Sequence, residues 1–329
     1  MVRSLTGGRA GSTHHLPPAV GLLRGRGALA DAAFRAILTA FGLSVVVLVT
    51  WMAVMLTRAA WPAITRFGVA FLWTSRWDPV HNVFGALPFV YGTVASSAIA
   101  LLIAVPISVG VAIYLAEITP GGVSTLLSFV IELLAAVPSV ILGLWGVFVL
   151  APWLRAAVEV RLGAVLGWLP LFSGPAYGIG LLAGGVILAI MVVPIISSVS
   201  REVLRAVPIS QREAMYALGA TRWEVIRHAV LPYGRVGIIG AVILGLGRAL
   251  GETMAVTMVI GNRPQISASV FQPAYTIAAA LANEFTEATT DLYVSALIEI
   301  AVVLFIVTLL TNALARWLVW RVATPGVQP

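Results

Sequence analysis

The chain has 329 residues, 60% of them hydrophobic and only 10% charged, and its net charge of +7 is carried wholly by arginine because no lysine occurs. A soluble globular protein of this length is excluded by that composition, and without lysine there is no G-x-x-x-x-G-K-S/T loop, so the usual ATPase site is excluded as well. The absence of cysteine removes disulfide frameworks and thiolate metal sites and leaves the compartment unreadable from redox chemistry.

Residues Met1 to Asp31 are rich in Gly, Pro, His and Arg without a period, which reads as a disordered tail (1–31). Apolar runs then recur at Ala36 to Leu56, Thr93 to Leu115, Thr125 to Leu150, Gly178 to Val199, Val236 to Ile260 and Tyr293 to Trp317. Each reaches the roughly 20 residues that a helix needs to cross about 30 Å of hydrocarbon, where backbone groups must be satisfied internally. The expected fold is an all-α integral membrane protein with six transmembrane helices. The first run is too long for a signal-peptide core and lacks a cleavage pattern behind it, so it is expected to stay as a span. With an even number of spans, thirteen arginines fall on one side (both termini and 201–235) and six on the other. The positive-inside rule therefore puts both termini in the cytoplasm. The arginines flank spans and do not form a nucleic-acid patch, so nucleic acid is excluded as a partner and membrane lipid is implied. Trp73, Trp77, Trp153 and Trp168 fall outside and read as interface anchors. The outer loops, about thirty residues each, are too short for a substrate-capturing domain, so another protein must deliver a scarce substrate.

Between the fourth and fifth spans, the segment 201–235 is too polar for lipid and too patterned for a linker. Ser210 with Glu213, and Thr221 with Glu224, have capping-box spacing. They predict one helix from Ser210 to Gly219, a left-handed glycine turn, and a second helix that Pro232 stops. This helix, turn, helix elbow resembles the EAA loop of permease subunits in bacterial ABC importers. Glu213, Ala214, Gly219, Leu231 and Pro232 match its pattern in register, whereas Met215 and Ala229 replace an alanine and an isoleucine. The resemblance implies that the elbow docks on an ATPase subunit and passes its closure to the spans. The competing reading is an amphipathic loop helix lying on the membrane surface.

Over roughly Gly85 to Arg316 the chain resembles more narrowly the PstC-type permeases of phosphate-specific importers, which have a MetI-like transmembrane fold. FGALPFVYGT (Phe84 to Thr93), ELLAAVPSVILGLWG (Glu132 to Gly146) and GLGRALGETMAV (Gly245 to Val256) carry the likeness. In the last string Arg248 and Glu252 lie four apart near the middle of the expected fifth span, hence on one helical face. Charge at that depth costs several kcal/mol unless paired or facing a polar cavity, so it reads as functional by default. A guanidinium keeps its proton and offers a planar fork of donors to an oxyanion. Arg248 is thus the candidate cargo contact and Glu252 its orienting counter-ion, against the alternative of a packing salt bridge. The resemblance places this pair in the phosphate pathway.

Glu132 and Glu299 are further acids expected within spans, reaching an interface or pairing with Arg248. Gly245, Gly247 and Gly251 read as helix-packing positions, and Pro138 and Pro194 as kinks. No catalytic constellation, cofactor motif or metal-ligand spacing is present, so the expectation is a transporter subunit and not an enzyme.

The resemblance implies four partners: a second, homologous permease chain (PstA type), ATPase subunits, an external phosphate-binding protein, and phosphate itself. The expected layout is a first helix and outer loop at 32–88, a MetI-like permease domain at 89–318 carrying the elbow, and a cytoplasmic tail at 319–329. Other oxyanions such as sulfate or molybdate remain open as cargo, because an arginine alone does not distinguish them. A stand-alone gradient-driven carrier is the rival of a different class; no internal inverted repeat supports it.

Overall fold

The structure is a computed structural model and describes residues 20–322. Among them six helices are long and apolar enough to cross a membrane, and there is no strand, only two isolated bridges, Asp78 with Val83 and Gly261 with Ala274. We label the helices α1 (Val20–Phe67), α2 (Leu87–Ile118), α3 (Gly121–Ala136), α4 (Ser139–Leu166), α5 (Leu181–Arg205), α6 (Ile209–Ala217), α7 (Arg222–Gly251), α8 (Met254–Val259), α9 (Ile277–Glu284) and α10 (Asp291–Val322). The chain divides into two units, Met1–Met55 and Leu56–Pro329. In the first, α1 is already helical at Val20, so residues 20–31 do not continue the expected disordered tail; Met1 to Ala19 lie outside the described residues. Phe34, Phe41, Leu48 and Trp51 of α1 are exposed, as suits a helix whose surroundings are hydrocarbon.

In the second unit α5 is the hub. Leu181, Ile187, Leu188, Val192 and Ile196 on it are buried with Ala100 and Ala104 of α2 and Ala241 and Ala249 of α7. Small residues permit the approach, which matters where lipid offers no hydrophobic drive for helices to associate. A Cβ on Gly185 would stand 2.4 Å from Ile99 Cγ2, and one on Gly245 2.7 Å from Ile196 Cδ1. Pro194 is absorbed within α5, which stays continuous around it.

Two expected spans are divided differently from the sequence reading. The run Thr125 to Leu150 is no single helix: α3 ends at Ala136 and a new helix begins at Ser139. The cause is local, since a residue before proline is pushed out of the α region, and Val137 is extended at ψ 126°. The 16 residues of α3 fall short of a bilayer crossing, and the third span is instead Ser139–Leu166. The run Val236 to Ile260 likewise breaks at Glu252, extended at φ −72° and ψ 130°, and resumes as α8. The two breaks meet, because α8 packs on the first turns of α4: a Cβ on Gly143 would stand 2.6 Å from Met258 Sδ, and one on Gly146 2.7 Å from Val259 Cγ1.

At the end of the bundle away from the elbow, backbone carbonyls close the start of α5. Gly180, Leu181 and Leu182 donate their N–H groups to Val259 (3.0 Å), Gln272 (3.0 Å) and Val270 (2.8 Å). These are the donors a helix start leaves without partners. Beside them an aromatic cluster gathers Phe67, Phe71, Phe84, Phe89 and Tyr293 around Trp77. The indole of Trp77 and the hydroxyl of Tyr293 both donate to Glu284 Oε2, at 2.7 Å each. Trp77 is therefore part of this packing, whereas Trp73, Trp153 and Trp168 are exposed.

Candidate functional site

Arg248 sits in the last turn of α7, where a cation complements the negative end of the helix dipole. Glu252 follows at the break, and its carboxylate lies 3.8 Å from the guanidinium. The other carboxylate oxygen accepts, at 3.4 Å, from the N–H of Ala255 in the first turn of α8. Glu252 thus touches both sides of the interruption. The pair does come together, but at a helix break and not on the continuous helical face that the four-residue spacing suggested. It is also asymmetric: the Glu252 side chain is 8% exposed and that of Arg248 42%.

The glycines around the pair divide. Gly245 is packed against Ile196, whereas Gly240, Gly247 and Gly251 have no atom within 4 Å of an added Cβ. With exposed Leu244, one turn before Arg248, these three leave an open strip on α7 beside the arginine. Gly247 and Gly251 therefore pack no helix of this chain, whereas Gly245 does. Glu132 is exposed on α3, and Glu299 is buried on α10 with Oε2 lacking a hydrogen-bond partner; no ion pair joins either to Arg248. Glu159 on α4, not flagged by the sequence reading, is buried and accepts from the N–H of Gly178 at 2.7 Å. The sequence shows no sign of it, because the apolar run that marks the third span ends at Leu150, nine residues before Glu159.

The elbow forms as helix, left-handed turn, helix. Helix α6 ends at Ala217, Gly219 has φ +81°, and Ala220 donates to the carbonyl of Met215 at 3.1 Å. This bond satisfies a carbonyl that the helix end would leave orphaned. Thr221 and Glu224 make a full capping box, with the Thr221 N–H donating to Glu224 Oε2 at 2.7 Å and the Glu224 N–H to Thr221 Oγ at 3.4 Å. Ser210 makes none: α6 starts one residue earlier, with Pro208 in the capping place and no side-chain cap. Nor does Pro232 stop the second helix. The chain passes through one wide turn at Ile226–Val230, and regular α-helix resumes at Leu231 with Pro232 in its first turn, where the missing N–H costs little, so the span continues.

Glu213 and Ala214 are exposed on α6, as is Pro232 on α7, while Leu231 is partly buried. Met215, which departs from the EAA pattern, packs inward on a cluster of Ala112, Leu204, Val207, Val225 and Val230. Large apolar side chains on the elbow remain uncovered, among them Ile209, Tyr216, Leu218 and Trp223. Exposed apolar side chains gathered in this way mark a protein or membrane interaction surface.

Sequence reasoning also missed what ties the elbow down. Arg212 of α6 meets both carboxylate oxygens of Glu117, at 2.8 and 3.4 Å, and donates to the carbonyls of Leu204 (2.8 Å) and Val207. The signal available in the sequence was only that Glu117 is an acid at the edge of an apolar run.

The comparisons with known proteins agree with this architecture. The profile of the binding-protein-dependent transport system inner membrane component family matches residues 108–324. The phosphate transport system permease protein PstC of Mesorhizobium japonicum is 48% identical over 301 residues, 90% of this chain and 92% of that protein. Its counterpart in Haemophilus influenzae is 44% identical over 295 residues, 88% and 93% of the two chains. Among solved structures, one described as inward facing conformations of the MetNI methionine ABC transporter superposes with a TM-score of 0.55 at 19% identity, covering 72% of this chain and 97% of its own; the likeness is one of fold. The chain belongs to the family of binding-protein-dependent transport system inner membrane components and is a multi-pass inner-membrane protein of the PstC type.

Proposed function

We propose that this chain is the permease subunit of an ATP-driven phosphate importer, forming half of the anion pathway and doing no covalent chemistry itself. The near-full-length identity to PstC phosphate permeases carries the reading. The site supports it. A half-exposed guanidinium inside a membrane span is costly against lipid, so the open strip of Gly240, Leu244 and Gly247 beside Arg248 faces water or a second protein. A companion permease chain of PstA type covering that strip would enclose a passage with Arg248 on its wall. There the planar fork of donors would meet a phosphate oxygen. Glu252, near enough to share the guanidinium, keeps the empty site close to neutral and competes for the arginine, which lets the anion leave.

The elbow, with Glu213, Ala214, Gly219, Leu231 and Pro232, supplies the ATPase contact through its uncovered apolar side chains. An external phosphate-binding protein delivers the cargo, and both termini and the elbow lie in the cytoplasm, on the side with thirteen arginines against six. Cargo binding cannot set direction unless it favours one state over another, so the ATPase stroke at the elbow provides it.

Radiolabelled phosphate uptake by cells carrying Arg248→Ala tests the pathway, with assembly checked by co-purification of the ATPase. Loss of a charged hydrogen bond of about 1.5–3 kcal/mol predicts uptake reduced about ten- to a hundredfold in assembled complexes. Normal uptake would remove Arg248 from the pathway. Competition by sulfate or molybdate as strong as that by unlabelled phosphate would reassign the cargo, and anion transport by the purified chain alone would turn it into a carrier.

A further inference from the structure

The end of α2 and the start of α3 are held by four arginines, two from the end of α5 and two from the elbow. Arg201 and Arg205, near the end of α5, reach Ser128 and Ser124 of α3, the latter at 2.8 Å. Arg222, at the start of α7, donates to the carbonyl of Glu117. Arg212 is the member that belongs to α6, and it spends its donors in two directions. One set goes to both oxygens of Glu117, and the other to the carbonyls of Leu204 and Val207 at the end of α5. Leu204 lies in the last turn of α5 and its carbonyl also accepts from the Val207 N–H at 3.3 Å, while Val207 lies two residues past the helix end. The side chains of Arg212 and Glu117 are 17% and 10% exposed, so water competes little for the contact.

We propose that Arg212 is a positioning residue that locks α6 to the α2–α3 turn, so that a push on the elbow moves α2, α3 and α5 together instead of bending the elbow alone. The proposal rests on the reading of the elbow as the ATPase contact. The rest of the α6 seat is apolar packing by Met215 and its neighbours, which resists separation but fixes no direction. A bidentate guanidinium fixes direction, because both donors lose their geometry if the partner rotates. Ser124 extends the tie into α3, since its hydroxyl also donates to the carbonyl of Leu115 at 2.7 Å and joins both arms of the turn.

The test is a cycle of Glu117→Gln, Arg212→Gln and the double variant in reconstituted complexes of permease pair, ATPase and binding protein, reading phosphate taken up per ATP hydrolysed. Each single substitution is expected to lower that ratio about tenfold, and the double no further than the worse single, as for two ends of one contact. Wild-type ratios in the singles, or losses that multiply in the double, would overturn the proposal. Arg212→Lys keeps the charge opposite Glu117 without the fork and is expected to fall between. If the neutral variants do not assemble, a wild-type ratio in Arg212→Lys overturns the proposal by itself. A wild-type complex that hydrolyses ATP without moving phosphate would instead remove the functional reading on which the tie depends.

Discussion

On the side of α7 turned to α5, Gly237 would place a Cβ 2.5 Å from both methyls of Val203, and Gly245 would place one 2.7 Å from Ile196. On another side Gly240, Gly247 and Gly251 would place theirs in open space. The residue type is the same and the helix is the same, yet the first group is explained within the chain and the second is not. Glycine in a helix interior costs about 1 kcal/mol against alanine, and on the first side close helix approach offsets this cost. On the open side nothing in this chain does, and the strip adjoins the half-exposed Arg248. The contrast separates a side of α7 that is packed within the chain from a side that is not.

The largest effect is expected on the packed side. Gly237→Ala drives a methyl into Val203, whose β-branched side chain is held to one rotamer in a helix, and Gly245→Leu drives a larger group into Ile196. Overpacking of this kind costs about 1–3 kcal/mol. Both variants are therefore expected to melt at lower temperature in detergent, measured on the purified chain. Unchanged melting in both would mean that α5 and α7 are not pressed together as described.

That division was only half legible in the sequence. Hydropathy gave six spans and their approximate places, because apolar length is a property of the chain itself. It did not give the ends. The break before Pro138 shows in the sequence as a proline, which reads as a kink within one span; in the structure the extended Val137 and Pro138 separate α3 from α4. The break at Glu252 had no such mark, since the extended backbone there follows from how α8 seats on Gly143 and Gly146 of α4. The spacing of Arg248 and Glu252 does bring the two side chains to 3.8 Å, but across a helix break and not along one continuous face. Arg212 and Glu117 are 95 positions apart, and no local pattern could pair them.

A middle-sized effect sharpens the comparison at the start of α7. The Thr221 cap is real and that of Ser210 is not, although both have the same spacing to a glutamate. Thr221→Ala should cost about 1 kcal/mol, while Ser210→Ala should leave stability within about 0.5 kcal/mol of wild type, as at ordinary surface positions. Amide exchange across 209–226 in the purified chain reads both. Equal protection losses in the two variants would return the elbow to two capping boxes.

The smallest effect on stability carries the most information about function. Gly240→Ala and Gly247→Ala put a methyl where the isolated chain has room, and they recover up to about 1 kcal/mol of helix propensity. The purified chain should therefore melt at the same temperature or slightly higher. If a companion chain or the anion itself comes close to that strip, the same methyls obstruct it, so uptake in cells should fall while the chain alone is unharmed. A packed-side variant cannot give that combination, since it weakens the chain before any partner arrives. Full uptake with Gly240→Ala and Gly247→Ala combined would mean that the strip faces open water or lipid with nothing pressed against it. Arg248 would then stand at the margin of the pathway and not on its wall.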